Sequence, residues 1–256
     1  MIFWLGTHEV HWLGRTDVPL FLSRRRLAKR KRLPRAMGPW ALDSGGFSEL
    51  TMFGRWETSA KVYVEEVRKW QAGIGNMAWA AIQDWMCEPT VRQKTGLSTE
   101  EHQRRTVASY QELQALAPDL PWVPVLQGWE YGDYLRHVGM YAKAGIDLAA
   151  QPLVGLGSVC RRQQTDMAED LIRELSGAGI RLHGFGFKLA GLRRTAASLA
   201  SADSLAWSFQ ARKRRRPLAG CQHEGSCANC LRYALWWRER VLRAIEGGQS
   251  RQLCLW

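Results

Sequence analysis

Short apolar runs recur along the chain: "IFWLG" (2–6), "VPLFLS" (18–23), "WALDSG" (40–45), "MAWAAIQD" (77–84), "WVPVLQG" (122–128), "DLAAQPLVGLGS" (147–158), "IRLHGFGF" (180–187) and "SADSLAWSF" (201–209). Most are apolar almost throughout rather than at alternate positions, the pattern of strands covered on both faces in a parallel sheet. Between them the period becomes helical. Ser98 and Glu101 stand at capping-box spacing ahead of Val107, Tyr110, Leu113 and Ala117. Residues 59–72 place Tyr63, Val67 and Trp70 on one face, and residues 165–176 place Met167, Leu171 and Leu175 before Gly177 and Gly179. Eight strand candidates alternating with helices predict an α/β fold whose natural closed form is a (β/α)8, TIM-like barrel. An open doubly wound sheet is the second reading. No G-x-G-x-x-G opens a helix after the first strand, which counts against its dinucleotide-binding version.

The character changes near residue 212. A basic run, Pro217 and a Cys/His cluster lead into "NCLRYALWWRERVLRAIEGG", where Leu231, Ala234, Leu235, Leu242 and Ile245 predict an apolar helix face and Gly247 a cap. The expected organisation is therefore a catalytic barrel over 1–211. Residues 212–256 would form a basic segment, a metal-binding element and a C-terminal helix packed on the barrel. No apolar stretch reaches the roughly 20 residues needed to span a bilayer, and "MIFWLGTHEVHW" lacks the features of a signal peptide. A cytoplasmic protein without a membrane partner is expected.

Net charge is +12, and its distribution is uneven. "RRRLAKRKRLPR" (24–35) carries eight Lys/Arg, including Arg24, Arg25, Arg26, Arg30, Lys31 and Arg32; "RKRRR" (212–216) carries five, Arg212, Lys213, Arg214, Arg215 and Arg216. Neither contains an acid, and without these 13 charges the chain sums to −1. Such patches attract a polyanion, and the favoured reading is nucleic acid, against two merely solvated faces or a targeting run. The first patch would be an unusually basic first connecting helix.

Three of the six cysteines fall within "CQHEGSCANC", where Cys221, His223, Cys227 and Cys230 supply a Cys3His set. In a chain without secretory features this spacing favours a closed structural zinc site over a redox CxxC or simple buried thiols, although Cys221 and His223 stand close for two ligands of one ion.

Polar residues end the strand candidates: Asp43, Asp84, Gln127, Gly155-Leu156-Gly157 and "HGFG", with Asp203 in the last. In a (β/α)8 barrel the catalytic groups sit at the C-terminal ends of strands. One such acid is commonly a helix cap; Asp84 could simply start a turn, and the apolar "SLAWSF" beyond Asp203 places that carboxylate near the start or middle of its strand. Two carboxylates flanking a sugar carbon support nucleophilic displacement, a third can accept from the N–H edge of a purine-like base, and Phe47 can stack on its face.

"LDSGGF" (42–47), "LQG" (126–128), "GLGS" (155–158), "GFG" (184–186), "ADS" (202–204) and the C-terminal Cys cluster occur in the order seen in tRNA-guanine transglycosylases. From about residue 40 to 245 the chain resembles these enzymes and the phage and bacterial DNA 7-deazaguanine transglycosylases of the DpdA type. The resemblance implies a barrel with a zinc subdomain that exchanges guanine for a 7-deazaguanine, such as preQ0, through a covalent glycosyl-aspartate. It implies Asp203 as nucleophile, Asp43 as general acid/base, and Asp84 as reader of the base's N1 and 2-amino edge. Gln127 and the N–H groups of Gly155 and Leu156 would hold the base carbonyl, Phe47 and His183 would sandwich the ring, and Ser44 would join the substrate-binding set. "RKRRR" would meet phosphates. Structural Zn2+ is the implied metal, with no catalytic cofactor.

Several features depart from the tRNA enzymes. "GLGS" lacks their longer, Glu-ended turn; His183 stands where Met is expected and Ser48 where Gln is usual; a His lies inside the Cys cluster; the chain is shorter. These favour DNA as partner, with tRNA second and a 7-deazaguanine base as co-substrate. A zinc-containing nucleic-acid-binding protein without catalysis, and a nucleosidase or glycosidase using the same carboxylates, are the other readings.

Overall fold

The structure is a computed structural model and describes residues 1–214 and 216–253, so that Arg215 lies outside the described residues. Nine short strands, β1 (Ile2–Thr7), β2 (Leu20–Ser23), β3 (Trp40–Asp43), β4 (Met77–Ala81), β5 (Trp122–Val123), β6 (Val125–Leu126), β7 (Val154–Leu156), β8 (Leu182–Gly184) and β9 (Ser201–Ser204), form one parallel sheet in the order β5-β4-β3-β2-β1-β9-β8-β7-β6. Only Pro124 separates the two sheet edges. Proline has no N–H to donate, so the ladder breaks there: β5 pairs with β4, and β6 with β7. The chain itself thereby closes the ring, and the nine strands are eight staves of a (β/α)8 barrel with the fifth stave bent.

Helices α1 (Arg24–Leu27), α2 (Gly46–Phe53), α3 (Ala60–Ile74), α4 (Pro89–Thr95), α5 (Thr99–Leu116), α6 (Tyr131–Lys143), α7 (Asp166–Gly177), α8 (Leu189–Thr195) and α9 (Ala206–Arg214) fill the connections, and α10 (Leu231–Leu253) follows. Of the capping box read at Ser98 and Glu101, the Ser98 half forms. Ser98 Oγ accepts from the Glu101 N–H at 3.1 Å, and Thr165 caps α7 through the Ala168 N–H at 3.3 Å.

Strand alternation divides the apolar residues into two populations. Phe3, Leu5, Leu20, Leu22 and Leu42 point outward and meet Tyr63, Val67 and Trp70 of α3 and the other helix faces in the main core. Trp4, Phe21, Ala41, Trp79, Ala81 and Val123 point inward and pack as a separate cluster inside the barrel. This layer floors the space at the C-terminal mouth.

Four expectations change. The 24–35 segment is helical only at Arg24–Leu27. Of 147–158 only Val154–Leu156 is strand, and of 201–209 only Ser201–Ser204. "SLAWSF" then runs into α9, so Asp203 is the next-to-last residue of its strand rather than at its start. Finally, α10 continues through Gly247. Its buried line is Tyr233, Ala234, Trp237, Val241 and Ile245, with Leu231, Leu235 and Leu242 on the flanks, because the aromatic residues carry more apolar area into the groove beside β1, α8 and α9. Among the described residues no helix is long and apolar enough to cross a membrane.

Candidate active site and nucleic-acid interface

At the C-terminal mouth a cavity of about 180 Å³ is lined by Asp43, Asp84, Gln127, Asp203, Phe47 and Phe185, among others. Asp43 is the last residue of β3 and turns at once into α2 through Ser44 and Gly45. Gly45 has φ +82°, a left-handed value that glycine takes without strain. The turn aims the Gly45 N–H at the Asp43 carboxylate, which also accepts from the Ser23 hydroxyl on neighbouring β2. Burial pushes the Asp43 carboxyl above the ordinary aspartate value, these hydrogen bonds oppose the rise, and the charge of Asp203 adds to it.

Asp84 follows β4 by three residues and is buried. Its Oδ2 meets Gln127 Nε2 at 2.5 Å and its Oδ1 accepts from Ser44 Oγ at 3.2 Å. Burial raises its pKa to about 7, with Asp43 adding to the rise and the hydrogen bond from Gln127 opposing it. Gln127 in turn lies flat on Gly157, where an added Cβ would stand 2.2 Å from Gln127 Nε2; only glycine leaves room for the amide. Ser44 is therefore a brace behind Asp84 and does not line the cavity.

Asp203 Oδ1 accepts from the Gly186 N–H at 2.8 Å. His183 lies beneath it, fully buried, with Nε2 at 3.4 Å from that oxygen and Nδ1 at 2.8 Å from Ser201 Oγ. It packs on Trp79 and Phe185 within the barrel and does not reach the cavity, so it cannot sandwich a ring there. Strand alternation points residue 183 inward below the rim, and Phe185, two residues on, is the aromatic that lines the cavity. Gly155 and Leu156 also lie below the rim. The Gly155 N–H is spent on the Pro124 carbonyl at 2.8 Å in the ladder, and the backbone that lines the cavity is Gly157–Ser158. Phe47 stands at the mouth, 42% exposed, with the Arg161 guanidinium 5.8 Å from its ring centre.

A second, open groove of about 460 Å³ is contiguous with the cavity: both are lined by Phe21, Asp43, Phe47 and Asp203. Its outer wall is basic, with Arg25, Arg26, Lys29 and His8. Burial and the charges of Arg26 and Arg212 hold the His8 pKa below its ordinary value, so the two basic runs, far apart in sequence, converge on this rim. Arg30, Lys31, Arg32, Lys213, Arg214 and Arg216 are exposed beyond it, Lys213 lying 4.7 Å from the ring of exposed Phe209. Arg24 is not part of this face. Its guanidinium turns inward to Glu66 Oε2 at 2.6 Å and Glu49 Oε1 at 3.3 Å and is buried by them.

The Cys221, His223, Cys227 and Cys230 donor atoms all lie within 4.8 Å of one another. The contacts Cys221–Cys230 (3.7 Å), Cys221–Cys227 (3.9 Å) and Cys227 Sγ–His223 Nε2 (3.5 Å) match the edges of a tetrahedron around zinc, roughly 3.8 Å for Zn–S bonds of about 2.3 Å. The donor set thus fits a structural metal ion, and the short Cys221–His223 span is no obstacle. The Leu218 N–H donates to Cys227 Sγ at 3.2 Å, an outer bond of the kind that orients a metal ligand.

Besides Phe185, two hydrogen-bonded polar residues line the cavity that were not among the site residues read from the sequence. Glu88, the N-cap residue of α4, and Ser158, which adopts φ +57° after β7, meet at 2.8 Å. A second acid four residues beyond Asp84 in the same βα loop is the signal that would have found the first.

A parallel (β/α)8 barrel whose mouth joins a carboxylate-lined cavity to a basic groove, with an appended Cys3His cluster, is the class of protein that the fold and site define. Comparison with known proteins narrows it. The family described as "DpdA: DeoxyPurine in DNA protein A" matches residues 1–255, and the chain belongs to that family. No match is found among curated proteins.

Proposed function

We infer that the protein is a transglycosylase that replaces guanine in DNA with a 7-deazaguanine base. The observation that carries this reading is the sharing of Asp43 and Asp203 by the cavity and the basic groove. A nucleotide flipped from DNA would lay its phosphates along Arg25, Arg26 and Lys29 and its base in the cavity, which brings the glycosidic bond to the junction of the two. The family's description, which names deoxypurine in DNA, favours DNA over tRNA.

In this reading an Asp203 carboxylate oxygen attacks C1′ as the C1′–N9 bond breaks, and Asp43, as the neutral acid, protonates N9 of the departing guanine. Asp43, now a carboxylate, takes the N9 proton of the incoming 7-deazaguanine, which attacks C1′ and releases Asp203. The burial that raises the Asp43 pKa suits a group that must hold a proton and return it. The Gly186 N–H holds Asp203 in place for attack, with His183 packed beneath it. Asp84, ionised, accepts from the base's N–H edge, Gln127 meets its carbonyl, and Phe47 and Phe185 cover the ring. The zinc-type cluster serves structure alone.

Incubating the protein with radiolabelled guanine or 7-deazaguanine and with DNA or tRNA tests the reading. Label should enter DNA and not tRNA, and Asp203→Asn should abolish incorporation while leaving DNA affinity within about twofold. Label entering only tRNA, incorporation unaltered by Asp203→Asn, or release of free guanine without incorporation would each overturn it.

A further inference from the structure

The Ser158 hydroxyl has more partners than protons. Its oxygen accepts from the Cys87 N–H at 2.9 Å. It also lies 2.8 Å from Glu88 Oε2 and 2.7 Å from Gln127 Oε1, both acceptors, with one hydroxyl proton to give. A carboxylate is the stronger acceptor, so the proton goes to Glu88. Gln127 Oε1 would then face the Ser158 oxygen with no proton between them, inside a buried site where an unpaired contact is costly. Turning the Gln127 amide over removes the conflict without moving another atom. Nε2 then donates to Ser158 Oγ, and Oε1 comes to lie 2.5 Å from Asp84 Oδ2. Two acceptor oxygens at that separation need a proton, and it must sit on Asp84. The distance falls in the range of O–H···O bonds and below that of ordinary N–H···O bonds.

We propose that Glu88 is a specificity-determining residue of the base cavity: through Ser158 it sets the direction of the chain Glu88–Ser158–Gln127–Asp84, and so decides whether the cavity offers the base an acceptor or a donor. In the free protein the chain runs with Asp84 protonated and its hydroxyl donated to Gln127. A base with two N–H donors on its edge, as guanine and 7-deazaguanine have, takes the place of that proton: it binds the ionised Asp84, and the proton leaves for solvent. Gln127 turns its N–H groups toward Asp84 and the base carbonyl. A base without that donor edge cannot drive the reversal, so the relay rejects it. This inference rests on the reading of the cavity as a base pocket.

The raised Asp84 value is in keeping with the chain, since a turned Gln127 adds to the effect of burial instead of opposing it. The other titratable and charged groups facing Asp84 and Glu88 are Asp43 at the end of β3, Tyr63 of α3, Tyr141 of α6, Tyr134 of α6, Cys87, Cys160 and Arg92. Glu88→Gln also removes a charge that acts on Tyr134, Cys87 and Cys160, whereas Ser158→Ala leaves every charge in place, so a shift seen in Ser158→Ala belongs to the chain.

Glu88→Gln and Ser158→Ala both remove the demand on the hydroxyl proton and free Gln127 to donate to Asp84. The protonation of Asp84 is followed by infrared difference spectroscopy on the whole protein, its carboxyl band being the one that Asp84→Asn removes. Both variants should lower the Asp84 midpoint by about one pH unit, and at pH 6 should bind free 7-deazaguanine roughly five- to tenfold more tightly than the parent, equalling it at pH 8. A merely structural role for Glu88 predicts weaker binding at every pH, and that result overturns the proposal. An Asp84 midpoint unmoved in both variants also overturns it, whatever the bases do. If the midpoint moves but the parent binds neither guanine nor 7-deazaguanine, the base-pocket reading fails and the assignment of specificity fails with it.

Discussion

Asp84 carries a conflict between stability and use. Its carboxyl binds a proton more tightly in the folded chain, at about 7, than in the unfolded chain near 3.8. Between these values the native state holds a proton that the unfolded state lacks. Stability therefore falls as pH rises through that window and levels off above it, a linkage on the order of 4 kcal/mol. Affinity for a base with an N–H donor edge should move oppositely, growing as Asp84 ionises. Asp84→Asn removes the titration. It is expected to melt higher than the parent at pH 8 and alike near pH 4, and to lose most base affinity at pH 8 while differing little from the protonated parent near pH 4; thermal denaturation across pH checks the first part and calorimetry the second. Equal melting temperatures at pH 8 would show that no buried charge is being carried. Asp84, Asp43 and Asp203 were legible in the sequence, because each follows or ends an apolar run and barrels place chemistry there. Their partners were not. That Ser158 reaches Glu88, and Ser44 braces Asp84 without lining the cavity, depends on how separate loops meet above the barrel, which no local pattern encodes.

At the level of elements, the strands were read well because burial on both faces leaves a continuous apolar run, a local property. The errors fell where tertiary contact decides. Val154–Leu156 is the only part of its long apolar segment that forms a strand, and the "AWSF" of "SLAWSF" is helix, with Trp207 turned in to donate its indole N–H to the Gly6 carbonyl at 2.8 Å. Arg24 looked like one more cation in a basic run, but Glu49 and Glu66, from α2 and α3, claim it. The Cys3His element links the end of α9 to the start of α10. Among the described residues it is held by bonds that include Ser208 Oγ to the Ala228 carbonyl at 2.8 Å and the Leu218 N–H to Cys227 Sγ at 3.2 Å. Removing the metal with a chelator, or changing Cys227 to Ser, should therefore loosen the segment between α9 and α10 and leave the barrel folded. Limited proteolysis should cut between residues 214 and 231, while far-ultraviolet circular dichroism loses little. Loss of the entire fold on chelation would make the metal a keystone of the barrel instead.

At the scale of the whole molecule, the charge of +12 reduces to a directed field. Arg25, Arg26 and Lys29, with Arg212 near His8, form a basic rim beside Asp43 and Asp203. In the proposed reading a polyanion would be drawn to the rim and the Asp203 carboxylate at its centre would repel phosphate, so that the backbone would be held off the cavity while the base enters it. Each cation that neutralises a phosphate should add about 0.9 to the slope of log affinity against log salt on duplex DNA. The triple change of Arg25, Arg26 and Lys29 to Ala should thus reduce that slope by roughly 2 to 3 and weaken binding at low salt by orders of magnitude, with little change in melting temperature. Arg24→Ala, one residue away, should do the reverse. It leaves Glu49 and Glu66 without their buried cation, at a cost of about 3–5 kcal/mol in stability, and leaves the salt slope of the folded protein unchanged. DNA affinity titrated at several salt concentrations, beside a melting curve for each variant, separates the two effects. A salt slope lowered by Arg24→Ala but not by the triple change would place the nucleic-acid face elsewhere on the barrel.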